Sequence, residues 1–173
     1  MSKVYSLCIF STGPVRHIPI SSVQPEQSDG CIISGICISN EGILFIVDNG
    51  LKVVYRVDIE TGDCSSFGKG AFGKCRPYFY SSIYIFNIAV HPVDVSMWSD
   101  YLLVLDDEAV HVFTPMGVLI KSCSVKLLFT PRSIDVIEGN VLIAGIMGAV
   151  YTYKIQSEYS LTLQRILVLL KVV

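Results

Sequence analysis

Residues 34–67 constrain the fold of this chain more than any other stretch. Four short β-type runs follow one another there, at 34–39, 43–47, 53–58 and 64–67. Asn40-Glu41-Gly42, Asp48-Asn49-Gly50 and Glu60-Thr61-Gly62-Asp63 separate them, and each is rich in turn-forming residues. Four antiparallel strands within roughly 35 residues make one blade of a β-propeller.

The unit recurs. Gly35-Ile36-Cys37-Ile38 is echoed by Asn87-Ile88-Ala89-Val90 and by Ser133-Ile134-Asp135-Val136. From Ile36 to Ile88 is 52 residues, and from Ile88 to Ile134 is 46. Propeller repeats run to roughly 40–50 residues. The second run returns at 101–106 and 140–145, the third at 109–113 and 149–154, and the fourth at 118–123 and 159–163.

The predicted fold is therefore all-β: a propeller segment of about three and a half four-stranded antiparallel blades, all one domain. Residues 1–20 are expected to supply a half blade, its outer two strands. Three blades follow at 33–67, 84–124 and 131–165, with an apolar tail at 166–173. Residues 91–100, which hold Trp98, read as a long loop inside the second blade. One strand fits into the remaining tail but a turn and two strands do not, so the segment is expected to form an open fan. Its uncovered edges and faces are then association sites.

Composition agrees with stacked blades. Hydrophobic residues make up 51% of the 173 and charged residues 16%, against about 25% charged in an ordinary soluble domain. No stretch reaches the roughly 18 apolar residues of a membrane span. Blades stack face to face, so their central strands are buried on both sides. Such strands read as continuous apolar runs, as 43–47 and 102–105 do. Net charge is −2, which exerts no general pull on nucleic acid or anionic membrane. The six cysteines show no metal-type CxxC spacing, and no signal peptide is legible, so a reducing, cytoplasmic setting is expected.

Gly35-Ile36-Cys37-Ile38-Ser39, Gly42 and then Leu44-Phe45-Ile46-Val47-Asp48 resemble the NHL repeat. The connector Phe67-Gly68-Lys69-Gly70-Ala71-Phe72-Gly73 resembles the glycine-rich link between NHL blades. Val54-Tyr55-Arg56-Val57-Asp58 with Thr61-Gly62 is equally similar to the SMP-30/gluconolactonase and strictosidine-synthase-like propellers. The resemblance covers about residues 33–155. It implies a six-bladed-propeller superfamily whose members include metal-dependent hydrolases, RNA-binding modules and protein-binding scaffolds.

Each chemistry has its candidate residues. Gly68 to Cys75 fits G-x-x-x-x-G-K, but Cys75 replaces the metal-binding hydroxyl and Arg76-Pro77-Tyr78 does not open a helix. It reads as a connector. Asp48, Asp106 and Asp107 end second strands, where hydrolases of the resembled type hold a divalent cation. The third unit offers Gly145 there, so turn capping is the expected role and no metal or cofactor is expected. His17, His91 and His111 read as isolated, and no Ser or Cys shows a legible His/Asp partner.

Asp48, Lys69, Lys74, Arg76, Asp106 and Arg132 form the candidate binding rim, joined by Lys126, Asp107 and Glu108. The rim mixes signs instead of forming the basic stripe that RNA requires. The expected function is a non-catalytic scaffold for a protein partner, with self-association through open blade edges. A hydrolase remnant and an RNA-binding propeller are the alternatives.

Overall fold

The computed structural model describes residues 6–9, 16–19, 32–69, 71, 79–80, 83–84, 91–125 and 127–168. Three four-stranded antiparallel sheets dominate, each a simple meander in chain order. The first blade holds β3 (Ile33–Ile38), β4 (Ile43–Asp48), β5 (Val53–Asp58) and β6 (Cys64–Phe67). The second holds β9 (Pro92–Trp98), β10 (Tyr101–Asp106), β11 (Ala109–Phe113) and β12 (Leu119–Ser124). The third holds β13 (Pro131–Ile137), β14 (Asn140–Gly145), β15 (Ala149–Ile155) and β16 (Leu161–Val168). Two short pairs complete the count among the described residues: β1 (Ser6–Ile9) with β2 (Arg16–Pro19), and β7 (Phe79–Tyr80) with β8 (Ile83–Tyr84). The chain is all-β and forms part of a β-propeller.

Turn chemistry fixes the meanders. Glu138 and Gly139 close the β13–β14 hairpin with φ of 50° and 72°. A two-residue loop with both residues at positive φ matches the twist of the strands it joins. Asp58 caps the β5–β6 turn, where its Oδ1 accepts from the backbone N–H groups of Glu60 (2.9 Å) and Thr61 (3.0 Å).

The inner strands lie side by side, with β9 between β3 and β13. Each carries a bulge at its second residue, Ser34, Val93 or Arg132. The shared bulge aligns the blades step by step. Gly35, Asp94 and Ser133 occupy one step; Ile36, Val95 and Ile134 the next; Cys37, Ser96 and Asp135 the one after.

Two seams between blades form most of the core. Ile43, Phe45, Val47 and Val54 of the first blade meet Val95, Leu102, Val104 and Phe113 of the second. Leu103, Leu105, Val110 and Val112, on the other face of the second blade, meet Ile134, Val141, Ile143, Ala149 and Tyr151. Both faces of β10 are thus buried, and on the other face of β4 Leu44 and Ile46 pack with Val53, Tyr55 and Val57 in a third cluster, which is why both strands read as unbroken apolar runs. Full burial of each such side chain is worth about 1.5–3 kcal/mol.

The inner strand of the second blade differs from the sequence-based expectation. It spans Pro92–Trp98, where a loop was expected. Asn87-Ile88-Ala89-Val90 falls outside the described residues. The loop follows from placing the inner strand at 87–90, by its likeness to Gly35-Ile36-Cys37-Ile38; Pro92 heads β9 as Pro131 heads β13. The real signal is the alternation Val93-Asp94-Val95-Ser96-Met97. Trp98 closes the strand and stacks near Tyr101 and Tyr159. At the C-terminal side, β16 runs on through Val168, so residues 166–168 are strand instead of tail.

Candidate functional site

The turns after the second strands hold two of the six rim residues. Asp48 is fully buried. Its Oδ1 accepts from the backbone N–H of Leu51 at 2.9 Å and of Ile32 at 3.2 Å. Asp106 is buried as well, and its Oδ1 accepts from Glu108 N (2.8 Å) and Ala109 N (2.6 Å). Both carboxylates close their own turns and present nothing to a partner. Gly145 takes the equivalent step in the third blade. Lys69 and Arg132 are exposed, Arg132 at the bulge of β13. Lys74 and Arg76, with most of the glycine-rich connector, lie outside the described residues. Among the described residues no three His, Cys, Asp or Glu side chains are grouped as a metal would require.

Asp106 has a second role that the sequence hid. Its Oδ2 pairs with His111 Nε2 at 2.6 Å, and His111 Nδ1 lies 2.8 Å from Ser122 Oγ. His111 is therefore not isolated. Asp106 ends β10, His111 lies in β11, and Ser122 faces it across the pairing of β11 with β12. Three adjacent strands thus build a carboxylate–imidazole–hydroxyl relay. With neutral imidazole, Nε2–H donates to Asp106 and the Ser122 hydroxyl donates to Nδ1. The missed signal was register: laying the fourth run antiparallel to the third sets Ser122 opposite His111.

A second polar group lines the inner strands. Asp94 Oδ2 accepts from Ile134 N at 2.9 Å, binding β9 to β13. Ser96 Oγ donates to Asp135 Oδ1 at 3.3 Å, which also accepts from Val136 N at 2.8 Å. Burial raises the Asp94 carboxyl above the usual aspartate range, and the Asp135 charge adds to that. The hydrogen bond from Ile134 N opposes it. Burial, with the Asp94 charge behind it, pushes the Cys37 thiol up to about 12. A thiol so high is not a nucleophile at neutral pH. Gly35 is required here: a Cβ on it would lie 2.7 Å from Asp94 Cα.

The third feature is a difference between equivalent steps. Val95 is 3% exposed and Ile134 4%, each against the second strand of the preceding blade. Ile36, at the same step of β3, is 57% exposed. Ile33 and Ile38 beside it are exposed too. At the other end, Leu142, Ala144 and Val150 of the third blade are half-buried. Their counterparts Leu103, Leu105 and Val110 are sealed.

No protein-family model matches the chain, and no curated protein does. Solved structures do. Virginiamycin B lyase from Staphylococcus aureus superposes with a TM-score of 0.63 at 12% identity, covering 92% of this chain and 48% of its own. Hydrazine synthase from Kuenenia stuttgartiensis gives 0.57 at 17%, covering 83% and 38%. A protein of unknown function from Bacteroides caccae gives 0.55 at 19%, covering 88% and 50%. At these identities the likeness is one of fold, and the chain spans half the length of these structures or less.

Proposed function

We propose that this chain is a non-catalytic interaction module of the NHL type, a propeller segment that docks a protein partner on the uncovered inner strand of its first blade. One observation carries the reading: Ile36 is open where Val95 and Ile134 are sealed. An apolar strip without its neighbour is a binding surface. The resemblance of residues 35–48 to the NHL repeat points the same way. The expected binding residues are Ile33, Ile36 and Ile38, in place of the rim carboxylates Asp48 and Asp106.

A second reading rests on the relay. A serine hydroxyl donating to an imidazole that is itself held by a carboxylate is the arrangement that activates serine for attack on an acyl carbon. Ser122 is exposed while His111 and Asp106 are buried behind it.

One pair of measurements separates the two readings. Tagged full-length chain purified from its source is expected to retain a protein in fixed ratio, and to lose it when Ile36→Asp is introduced. A fluorophosphonate probe is expected to leave Ser122 unmodified. A partner retained by the Ile36→Asp variant would sink the interaction reading, and a covalent adduct on Ser122 would replace it with the enzyme.

A further inference from the structure

The open strip on β3 is one strand wide. Ile33, Ile36 and Ile38 share a face of the first blade with Leu44, Ile46, Tyr55 and Val57, by the pairing of β3 with β4 and of β4 with β5. Those four outer residues are buried and the three isoleucines are not. The uncovered part of the face is therefore its inner strand. No charged residue lies between Ile32 and Ile38.

The molecule shows twice what belongs over such a strip. Val95 of β9 is covered from the first blade, where the inner strand turns Gly35 and Cys37 toward it and the second strand turns Phe45 and Val47. Ile134 of β13 is covered from the second blade, whose inner strand offers Asp94 and Ser96 and whose second strand offers Leu103 and Leu105. In both seams the covering element is an inner hairpin. Its first strand carries short side chains at two alternate steps, and its second strand carries large apolar ones opposite them. The strip on β3 continues this repeated interface by one further step.

We propose that β3 accepts an inner-type β-hairpin supplied by a partner protein. The hairpin carries no Lys or Arg, with Gly, Ser, Asp or Cys at two alternate positions of one strand and Leu, Val or Phe opposite them on the other. The proposal rests on the reading of the chain as an interaction module and names the partner's recognition element. Short side chains on the inner strand are needed because inner strands approach closely, as Gly35 does to Asp94. The second strand supplies the apolar area, and area of this kind drives association.

The test uses a fluorescein-labelled synthetic peptide with the sequence of residues 91–107, the hairpin that covers Ile134. It is titrated against the full chain by anisotropy, with a scrambled peptide beside it. Saturable binding is expected, weakened about tenfold or more by Ile36→Asp and by Ile38→Asp. Leu142→Asp, on the far blade, is expected to leave it unchanged. Binding no better than the scrambled peptide, or indifferent to both isoleucine variants, would overturn the proposal. So would a wild-type dimer by light scattering that Ile36→Asp dissociates, since a second copy would then be the occupant. A native partner that still depends on Ile36 while the peptide fails would refute the hairpin alone and leave the interaction module standing.

Discussion

Val95 and Ile36 stand at the same step of the same repeat, on inner strands bulged at the same residue. One is sealed and the other open. Leu103 and Leu142 make a second such pair, one sealed between blades and the other half-buried on the outer face of the last blade. The side chains are of similar size and kind, so the residues do not explain the difference. Their neighbours do. In a stacked architecture a blade cannot bury its own faces, and stability accrues at each seam between adjacent units. The second blade has a seam on each of its faces, and it is the natural reference for the flanking blades.

The largest effect that would sharpen this comparison is truncation inside a seam. Leu103→Ala is expected to cost about 2–5 kcal/mol, and its counterpart Leu142→Ala less than about 1 kcal/mol, by urea unfolding. Equal costs would show that the outer face of the third blade is as well packed as the seam. Next comes Gly35→Ala, whose new Cβ would press on Asp94 Cα. About 1–3 kcal/mol of destabilisation is expected, whereas Ser133→Ala at the equivalent step of the third blade is expected to be nearly neutral.

Asp94→Asn should act in the opposite direction and be read through pH. A carboxyl whose folded pKa is raised contributes stability that is complete below its unfolded value near 3.8 and is lost as pH rises through the folded value. At neutral pH Asp94 is therefore a net cost. The amide can still accept from Ile134 N. The variant is expected to melt at or above the wild-type temperature at pH 7, with the gap closing or reversing near pH 4. A gap that widens on acidification would contradict the assignment. The smallest effect is expected at the open strip: Ile36→Asp should change stability by no more than about 0.5 kcal/mol, against a much larger loss for Val95→Asp. A large loss at Ile36 would mean that the strip is covered in solution.

These pairs also mark where sequence reading stops. The repeat, the four runs of the first and third blades, the last three of the second and the double burial of β4 and β10 were legible because continuous apolar runs and Gly/Asn/Asp turns are local signals. β9 was misplaced because Asp94 and Ser96 have tertiary partners, Ile134 N and Asp135, and without those partners they look like loop residues. The role of Asp48 and Asp106 as turn caps was legible from their position. Their burial, which removes them from the rim, was not. The relay needed strand register to bring Asp106, His111 and Ser122 together. Ile36 and Val95 are indistinguishable as sequence, since exposure here is a property of the adjoining blade.

The thiol at Cys37 carries a consequence for the molecule under alkaline conditions. Its proton is held up to about 12 in the folded chain, against 9.0 for the free side chain, and burial raises Cys64 and Cys123 as well. Below pH 9 this contribution to stability is complete, and it drains away as pH climbs toward about 12, because unfolding releases a thiolate that the folded seam refuses. The same seam that keeps the sulfur quiet toward alkylating and oxidising reagents at neutral pH therefore sets a basic limit on the fold, where deprotonation of one cysteine between the first two blades works to part them.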